Sequence, residues 1–272
     1  MIELNDAEFS KMYPYIRSHY GINLEKKKYL IESKLWIELA RSKSGSYAEY
    51  WKKLQNDETG AMERRMMDLL TTNYTFFCRE EQHFDFIRRI IVPALPSNRI
   101  RPLRIFSAGC ATGQECYTLA MELLDLRRAG KLQIPFYILG TDLSETAIAA
   151  AQRGFYNSAD YARLPQAWQS AYCEEFHDGQ FKVRELLHSF VSFKRQNLLE
   201  MPPIAPTYDI IFCRNVLIYF EDGERENLIK KLSGALQKGG YLMIGHTESL
   251  ITIPNHLKYI QPAVYQKPEV RT

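Results

Sequence analysis

The sequence has no C-x-x-C pair: its five cysteines, Cys78, Cys110, Cys116, Cys173 and Cys213, are scattered singly. That argues against a zinc site or a disulfide framework and for reduced, buried thiols. No apolar run approaches the roughly 20 residues of a membrane span, and the acidic start MIELNDAEF lacks the features of a signal peptide, so a cytoplasmic protein without membrane insertion is expected. Excess charge is also missing. A net charge of +3 over 272 residues is too small to argue for nucleic acid. Internal repeats and low-complexity stretches are absent. What remains is 46% hydrophobic and 25% charged, long enough for one large or two smaller folded domains.

The small charge excess is unevenly placed. Residues 1–101 hold 17 Lys plus Arg against 14 Asp plus Glu, and the remainder balances at 18 against 18. This suggests a modest basic surface in the first third, or simply a solvated helix face.

The first 75 or so residues read as short helices. Asn5 with Glu8 makes a capping box ahead of Phe9, Tyr13, Ile16 and Tyr20, Gly21 suits the stop, and Pro14 should kink or delay the helix. Further helices are expected from about Leu24 to Arg41, from Ser46 through Leu54, from about Thr59 to Leu70 and from Glu80 to about Leu95. PSNRIRP, residues 96–102, reads as a linker. From Leu103 strands alternate with helices, the pattern of a largely parallel sheet: LRIFSA, FYILGTD, YDIIFCRN and GGYLMIGHT are strands, and KYIQPAVYQ a closing hairpin. Asp178-Gly179 between β-prone residues suggests a small antiparallel insert at about 175–195.

The chemistry begins at RIFSAGCATGQECYTLA, Arg104 to Ala120, a strand, a small-residue loop and a helix start. A dinucleotide fingerprint G-x-G-x-x-G needs its second glycine for close approach of a pyrophosphate. Ala111 stands there instead, between Gly109 and Gly113, and Glu115 sits where a phosphate site would want a cation. The loop suits an adenosine-type ligand without phosphates. Asp142 ends the second strand, where an acidic residue accepts hydrogen bonds from ribose hydroxyls. It also reads as a cap for the helix from Ser144, and it should serve only one of these roles well.

TTNYTFFCREEQHF, residues 71–84, mixes Asn73, Thr75 and Arg79 with aromatics, and reads either as a set of partnered polar groups or as a capped helix start with a surface ion pair. FCRNVLIYF, residues 212–220, puts Arg214, Asn215 and Tyr219 at a strand end, without the Asn-Pro-Pro-aromatic element of nucleic-acid amino-methyltransferases; it also reads as an ordinary turn with a core tyrosine.

In order and nearly end to end, TTNYTFFCRE, SAGCATGQECYT, GTDLS, QNLL and DIIFCRNVLIYF resemble the chemotaxis receptor methyltransferases of the CheR family. The resemblance implies a class I S-adenosylmethionine-dependent methyltransferase fold, Rossmann-like and mostly parallel, with an N-terminal all-α domain at 1–78. A linker helix and linker would follow at 79–102, then the cofactor domain at 103–272 carrying the β insert. It implies transfer of a methyl group from S-adenosyl-L-methionine to chemoreceptor glutamates, with S-adenosyl-L-homocysteine as product; the cysteine pattern and the small net charge add the expectation of no metal and no nucleic acid. Carried over residue by residue, Asn73, Thr75 and Arg79 close over the cofactor from the interdomain side. Gly109, Gly113 and Glu115 form the loop, Asp142 holds the ribose, Asn197 and Leu198 lie near the adenine, and Arg214 and Asn215 are contacts of the fourth strand. Tyr219 and Arg79 lie near the reactive methyl. Gln114 and Cys116 depart from the family's usual Glu and Pro.

Lys27, Lys34 and Arg41 recur every seven residues, so a continuous helix would carry them as one basic stripe. In this family the N-terminal basic helix is thought to meet the glutamate-rich helices of chemoreceptor cytoplasmic domains. The alternative is a solvated face. The apparent shortness of the insert points to an enzyme that does not grip a receptor's C-terminal tail. Two competing readings are a small-molecule or RNA methyltransferase on the same fold and a non-catalytic cofactor-binding signalling module.

Overall fold

In the computed structural model, which describes residues 2–96, 98–176 and 179–269, the chain begins with four helices: α1 (Asp6–Tyr20), α2 (Lys28–Arg41), α3 (Tyr47–Gln55) and α4 (Ala61–Leu70). The capping box forms as expected: the Asn5 side chain accepts from the Glu8 amide and Glu8 accepts from the Asn5 amide. Pro14 lies inside α1 without ending it. Met12, Ile16, Ile31, Leu35, Leu39, Tyr50, Met66 and Met67 form a core of their own among these helices. The α1 stop has a second cause beyond the left-handed φ of 71° at Gly21. A Cβ there would collide with the Phe220 ring, so the glycine also lets the helical half close against the sheet half.

α2 starts at Lys28, four residues later than expected, and this revises the basic stripe. Lys27 is the N-cap, with φ −123° and ψ 37°, outside the helical rise that would align it with Lys34 and Arg41. Lys34 and Arg41 remain exposed on the helix, and Arg41 lies 4.0 Å from Glu38.

After residues 71–81 come α5 (Gln82–Phe86) and a π-helical turn (Ile87–Ile91). The linker is tied down: Arg99 and Arg101 pair with Asp209 at 2.6 and 2.5 Å, and the Arg104 amide donates to the same carboxylate at 3.0 Å. β1 (Leu103–Ala108), α6 (Gln114–Arg128), β2 (Phe136–Asp142) and α7 (Glu145–Arg153) then alternate. Next come β3 (Phe155–Tyr156), α8 (Ser158–Tyr161), α9 (Gln166–Tyr172), β4 (Cys173–Glu175), β5 (Phe181–Val183), α10 (Glu185–His188) and β6 (Val191–Arg195). β7 (Tyr208–Cys213), α11 (Asp222–Ala235), β8 (Leu236–Ile244), β9 (Lys258–Gln261) and β10 (Val264–Gln266) complete the chain.

The main sheet has the order β6-β2-β1-β7-β8-β10-β9, parallel except for the hairpin β9–β10. Its strands alternate between two apolar layers. Ile105, Ile210 and Phe212 face one, and Phe106, Ile211 and Cys213 the other, where Leu228, Ile229 and Leu232 of α11 pack. Burial on both faces explains the nearly continuous apolar runs.

The insert is real but displaced. Its antiparallel sheet has the order β3-β5-β4, so its strands run from Phe155 to Val183, and Val191–Arg195 belongs to the main sheet, parallel to β2. Two short strands upstream of Asp178 were hidden among helical signals. Asp178 of the expected turn lies outside the described residues. With the insert beginning at Phe155, its supposed shortness no longer argues against gripping a receptor tail. Among the described residues no helix is long and apolar enough to cross a membrane.

Candidate active site

Between β1 and β7 the chain reverses its direction of strand addition, the place where open α/β sheets bind ligands at their carboxyl ends. A cleft of about 460 Å³ lies there, roofed by the helical half through Tyr20, Ile22, Leu70 and the segment 71–80. Contacts between the halves frame it. Asn23 reaches Glu221 at 2.9 Å, the Asn197 amide donates to the His19 carbonyl at 2.7 Å, and Arg64 pairs with Glu145 at 3.1 Å.

The backbone around the cleft is unusually bent. Of six non-glycine residues with positive φ among those described, Ala111, Glu80 and Asn215 line the cleft, and Cys78 sits within the segment that roofs it. Such conformations cost energy and persist where the surroundings enforce them. The Cys78 amide donates to Thr118 of α6 at 3.2 Å, which helps fix the turn that aims Arg79 and Glu80 inward.

Asp142 braces the turn at the strand end with both of its oxygens. Oδ1 accepts from the Ser144 amide at 2.9 Å, and Oδ2 from the Ala111 amide at 2.8 Å. The helix cap proper is Ser144, whose side chain accepts from Ala147. Two carboxylate oxygens offer about four acceptor positions, so tying the turn does not exhaust them, and Asp142 still lines the cleft. Burial pushes its carboxyl above the usual carboxylate range, while the Ser144, Ala111 and Leu143 amides pull it back.

Glu115, in the first turn of α6, accepts from Ser107 at 2.7 Å and from Arg214 at 3.0 Å. Arg214 is almost wholly buried. Its Nε also donates to Glu80 at 3.2 Å, and its Nη2 to the Arg79 carbonyl. One guanidinium thus joins the glycine loop, the fourth central strand and the interdomain segment. The lining as a whole carries three carboxylates, Glu80, Glu115 and Asp142, against two guanidiniums, Arg79 and Arg214. That excess negative charge suits a cationic ligand and opposes a phosphate.

Of the other expected residues, Asn73, Thr75, Arg79, Gly109, Asn197, Leu198, Asn215 and Tyr219 all line the same cleft. At Gly109, φ is 83° and a Cβ would strike Val216, so the tight turn needs glycine. Gly113 does not line the cleft. It is the N-cap of α6, and a Cβ there would stand 2.8 Å from the Ala151 Cβ, so it lets α6 and α7 approach. Lys27, Lys34 and Arg41 lie elsewhere, Lys34 and Arg41 on α2 and Lys27 at its N-cap.

Sequence reasoning missed Glu80 and Glu248. The Glu248 carboxylate accepts from the amides of Asn215 at 2.9 Å, Gly245 at 2.6 Å and Ile218 at 3.3 Å, and so shapes the loop carrying Asn215 and Tyr219. Only its place just past a strand end could have drawn attention to it. Behind Glu80, His83 is fully buried; burial, Arg214 and His246 push its imidazole down to about 3, so the ring is neutral near pH 7.

Residues 73–265 match the model of the CheR methyltransferase SAM-binding domain, and residues 7–71 that of the CheR methyltransferase all-alpha domain. The chain belongs to the CheR methyltransferase family. Its fold is that of a class I S-adenosylmethionine-dependent methyltransferase, and S-adenosylmethionine is its cofactor. The chain is similar to the chemotaxis protein methyltransferase of Borreliella burgdorferi, at 37% identity over 98% of this chain and 96% of that protein. It is also similar to chemotaxis protein methyltransferase 1 of Pseudomonas aeruginosa, at 31% identity over 94% of this chain and 95% of that protein. The CheR family models meet near residue 72, inside the cleft-lining segment, so the roof of the site is formed where the two family domains join.

Proposed function

We propose that this CheR-family methyltransferase acts in chemotaxis, converting glutamate side chains in the cytoplasmic helical domains of chemoreceptors to methyl esters and releasing S-adenosylhomocysteine. The observation that carries the reading is the pairing of a net-negative cleft floor with Arg79 and Tyr219 at the same cleft, contributed by opposite halves of the chain. The bound cofactor supplies an electrophilic methyl on a sulfonium cation. Asp142 would accept from the ribose, Leu198, Ile22 and Val216 would offer apolar surface to the adenine with Asn197 as a polar neighbour, and Glu115 would serve the amino-acid end. Asn73, Thr75 and Asn215 supply further polar contacts. Arg214, whose donors are committed to Glu80, Glu115 and the Arg79 carbonyl, holds this arrangement and leaves ligand contact to its neighbours.

A glutamate carboxylate, with an ordinary pKa near 4.3, is ionised at neutral pH and needs no general base. Alignment is therefore the main task, and it can supply several kcal/mol of the barrier. Arg79 is about one quarter exposed and stacks over Phe76 at 5.6 Å, with its Nη1 donating to the Tyr74 carbonyl at 3.1 Å. Its remaining donors can orient one carboxylate oxygen while the other attacks. Incubation with methyl-labelled cofactor and chemoreceptor-containing membranes tests the reading. Label that is released as methanol by mild alkali identifies an ester; alkali-stable label, or none on receptors, refutes it.

Tyr219→Phe should reduce single-turnover rates at saturating cofactor about tenfold, the worth of one hydrogen bond of about 1.4 kcal/mol, with little change in cofactor affinity. Equal rates would remove the hydroxyl from the mechanism.

With Lys27 off the helix, recognition of an acidic receptor helix by α2 rests on Lys34 and Arg41. Lys34→Glu should raise KM for receptor roughly two- to fivefold at low salt and leave cofactor affinity alone, and the difference should shrink at high salt. Identical KM values at low salt would make this a solvated face only.

A further inference from the structure

Behind the cleft lies a group of donor atoms that methyl transfer does not use. Glu80 precedes α5, His83 lies within it three residues on, and His246 follows β8. Glu80 Oε2 is 3.6 Å from His83 Nδ1 and 4.0 Å from His246 Nε2, and one donor from each residue falls within 4.8 Å of the others. The two imidazole rings stand 5.0 Å apart. His83 is only 1% exposed, and its ring nitrogens make no hydrogen bond of good geometry among the described residues; the backbone of Ala263 offers only a loose one. A buried imidazole so poorly partnered costs up to about 1–3 kcal/mol, which a bound ion would recover.

We propose that Glu80, His83 and His246 form a binding site for a divalent transition-metal ion of the zinc type. Two imidazole nitrogens and a carboxylate are a donor set that such ions accept, with a further position left for water. Metal–donor distances of about 2.0–2.2 Å place neighbouring donors roughly 3.3 Å apart in a tetrahedral site, so the 3.6 and 4.0 Å separations from Glu80 close by about 0.3 and 0.7 Å on binding, through rotation of the partly exposed His246 side chain. The surroundings are those of a ligating carboxylate. Arg214 Nε, at 3.2 Å, and the His246 amide, at 3.3 Å, both donate to Glu80 Oε2 and fix its orientation, as outer partners of metal ligands do. Two cations stand beside the site, Arg214 and, 4.0 Å from Glu80, Arg79; Glu80 and Glu115 balance their charge, so the two imidazoles would supply most of the affinity for the ion. His246, 37% exposed, marks the side open to solvent. No spacing in the sequence announces this group, because its donors come from the two sides of the cofactor domain, and it runs against the metal-free expectation drawn from the cysteines. Glu80 also lines the cofactor cleft, so metal occupancy and cofactor affinity are coupled through a shared residue.

The test is a titration of the full-length, chelator-treated protein with cobalt(II), followed by its d–d absorption, and with zinc(II) by calorimetry. One cobalt per chain with the intense bands of a four- or five-coordinate site, displaced by zinc, is expected. His246→Ala, a change at a partly exposed side chain, should weaken binding by about tenfold or more while circular dichroism stays that of the wild type. His246→Gln serves as a second variant should the alanine form prove unstable. Absence of saturable binding overturns the proposal, as does a His246 variant that binds like the wild type, which would place the ion on other surface histidines.

Discussion

Arg214→Leu is expected to lower the unfolding free energy by about 3–5 kcal/mol, the usual cost of removing one partner from a buried ion pair. The side chain is 2% exposed, and its loss would leave Glu80 and Glu115, each 14% exposed at the side chain, ionised and facing one another without a cation between them. It would also strip the Arg79 carbonyl of its donor and remove a guanidinium that lies 5.8 Å from both the Phe84 and Phe212 rings. Urea denaturation of the cofactor-free protein measures the change. Adding Glu115→Gln, which deletes one stranded charge, should recover part of the loss. A folded Arg214→Leu protein with wild-type stability would mean that water enters this site freely and that the network is not buried as described.

Asp142→Ala should weaken S-adenosylmethionine and S-adenosylhomocysteine together by about 1.5–3 kcal/mol, or roughly ten- to 150-fold in affinity. Two losses combine here. The ligand loses a charged acceptor, and the Ala111 and Ser144 amides lose theirs, which frees the loop that must present its backbone to the ligand. Ala111 holds a φ of 49°, a conformation an alanine does not keep without an anchor. Asp142→Asn retains one acceptor oxygen and should fall between the two. Calorimetry on the folded variants decides the matter; an unchanged affinity in Asp142→Ala would reduce Asp142 to a brace for the turn. Both ligands should suffer alike because they share the adenosine portion.

Much of the fold was legible in the sequence because local physics decides it. The Asn5–Glu8 box, the strands LRIFSA, FYILGTD and YDIIFCRN, and the β9–β10 hairpin depend on neighbours a few residues away, and those neighbours are visible in a linear text. The insert was misplaced because β3 is two residues long and β4 three, too short for any period-two pattern to register. The stripe of lysine and arginine rested on a helix start four residues too early: Leu24 to Lys27 form a separate turn, closed by the Lys27 amide on the Leu24 carbonyl at 2.8 Å, and Lys27 leaves helical geometry before α2 begins. At the candidate site, the resemblance to CheR proteins gathered Asn73, Arg79, Glu115, Asp142, Asn197 and Tyr219 into one expectation, and the structure places all six around one cleft.

By itself the sequence determined the alternation of strand and helix, the helical first third, the phosphate-free glycine loop and the motif order that resembles CheR proteins. Those are properties of runs of adjacent residues, set by hydrophobic period, capping and turn chemistry. Tertiary structure alone decided how charges are spent. Glu115 and Glu80 lie on different elements and become partners only because Arg214 reaches both, and Glu248 orders the Asn215–Ile218 loop from across a strand. Gly113 turned from a loop residue into a packing residue when α7 came to rest against it. Pairing across long stretches of chain depends on which faces meet after folding, and no local signal records it: a carboxylate looks the same in the sequence whether it will meet a ligand, an arginine or three backbone amides.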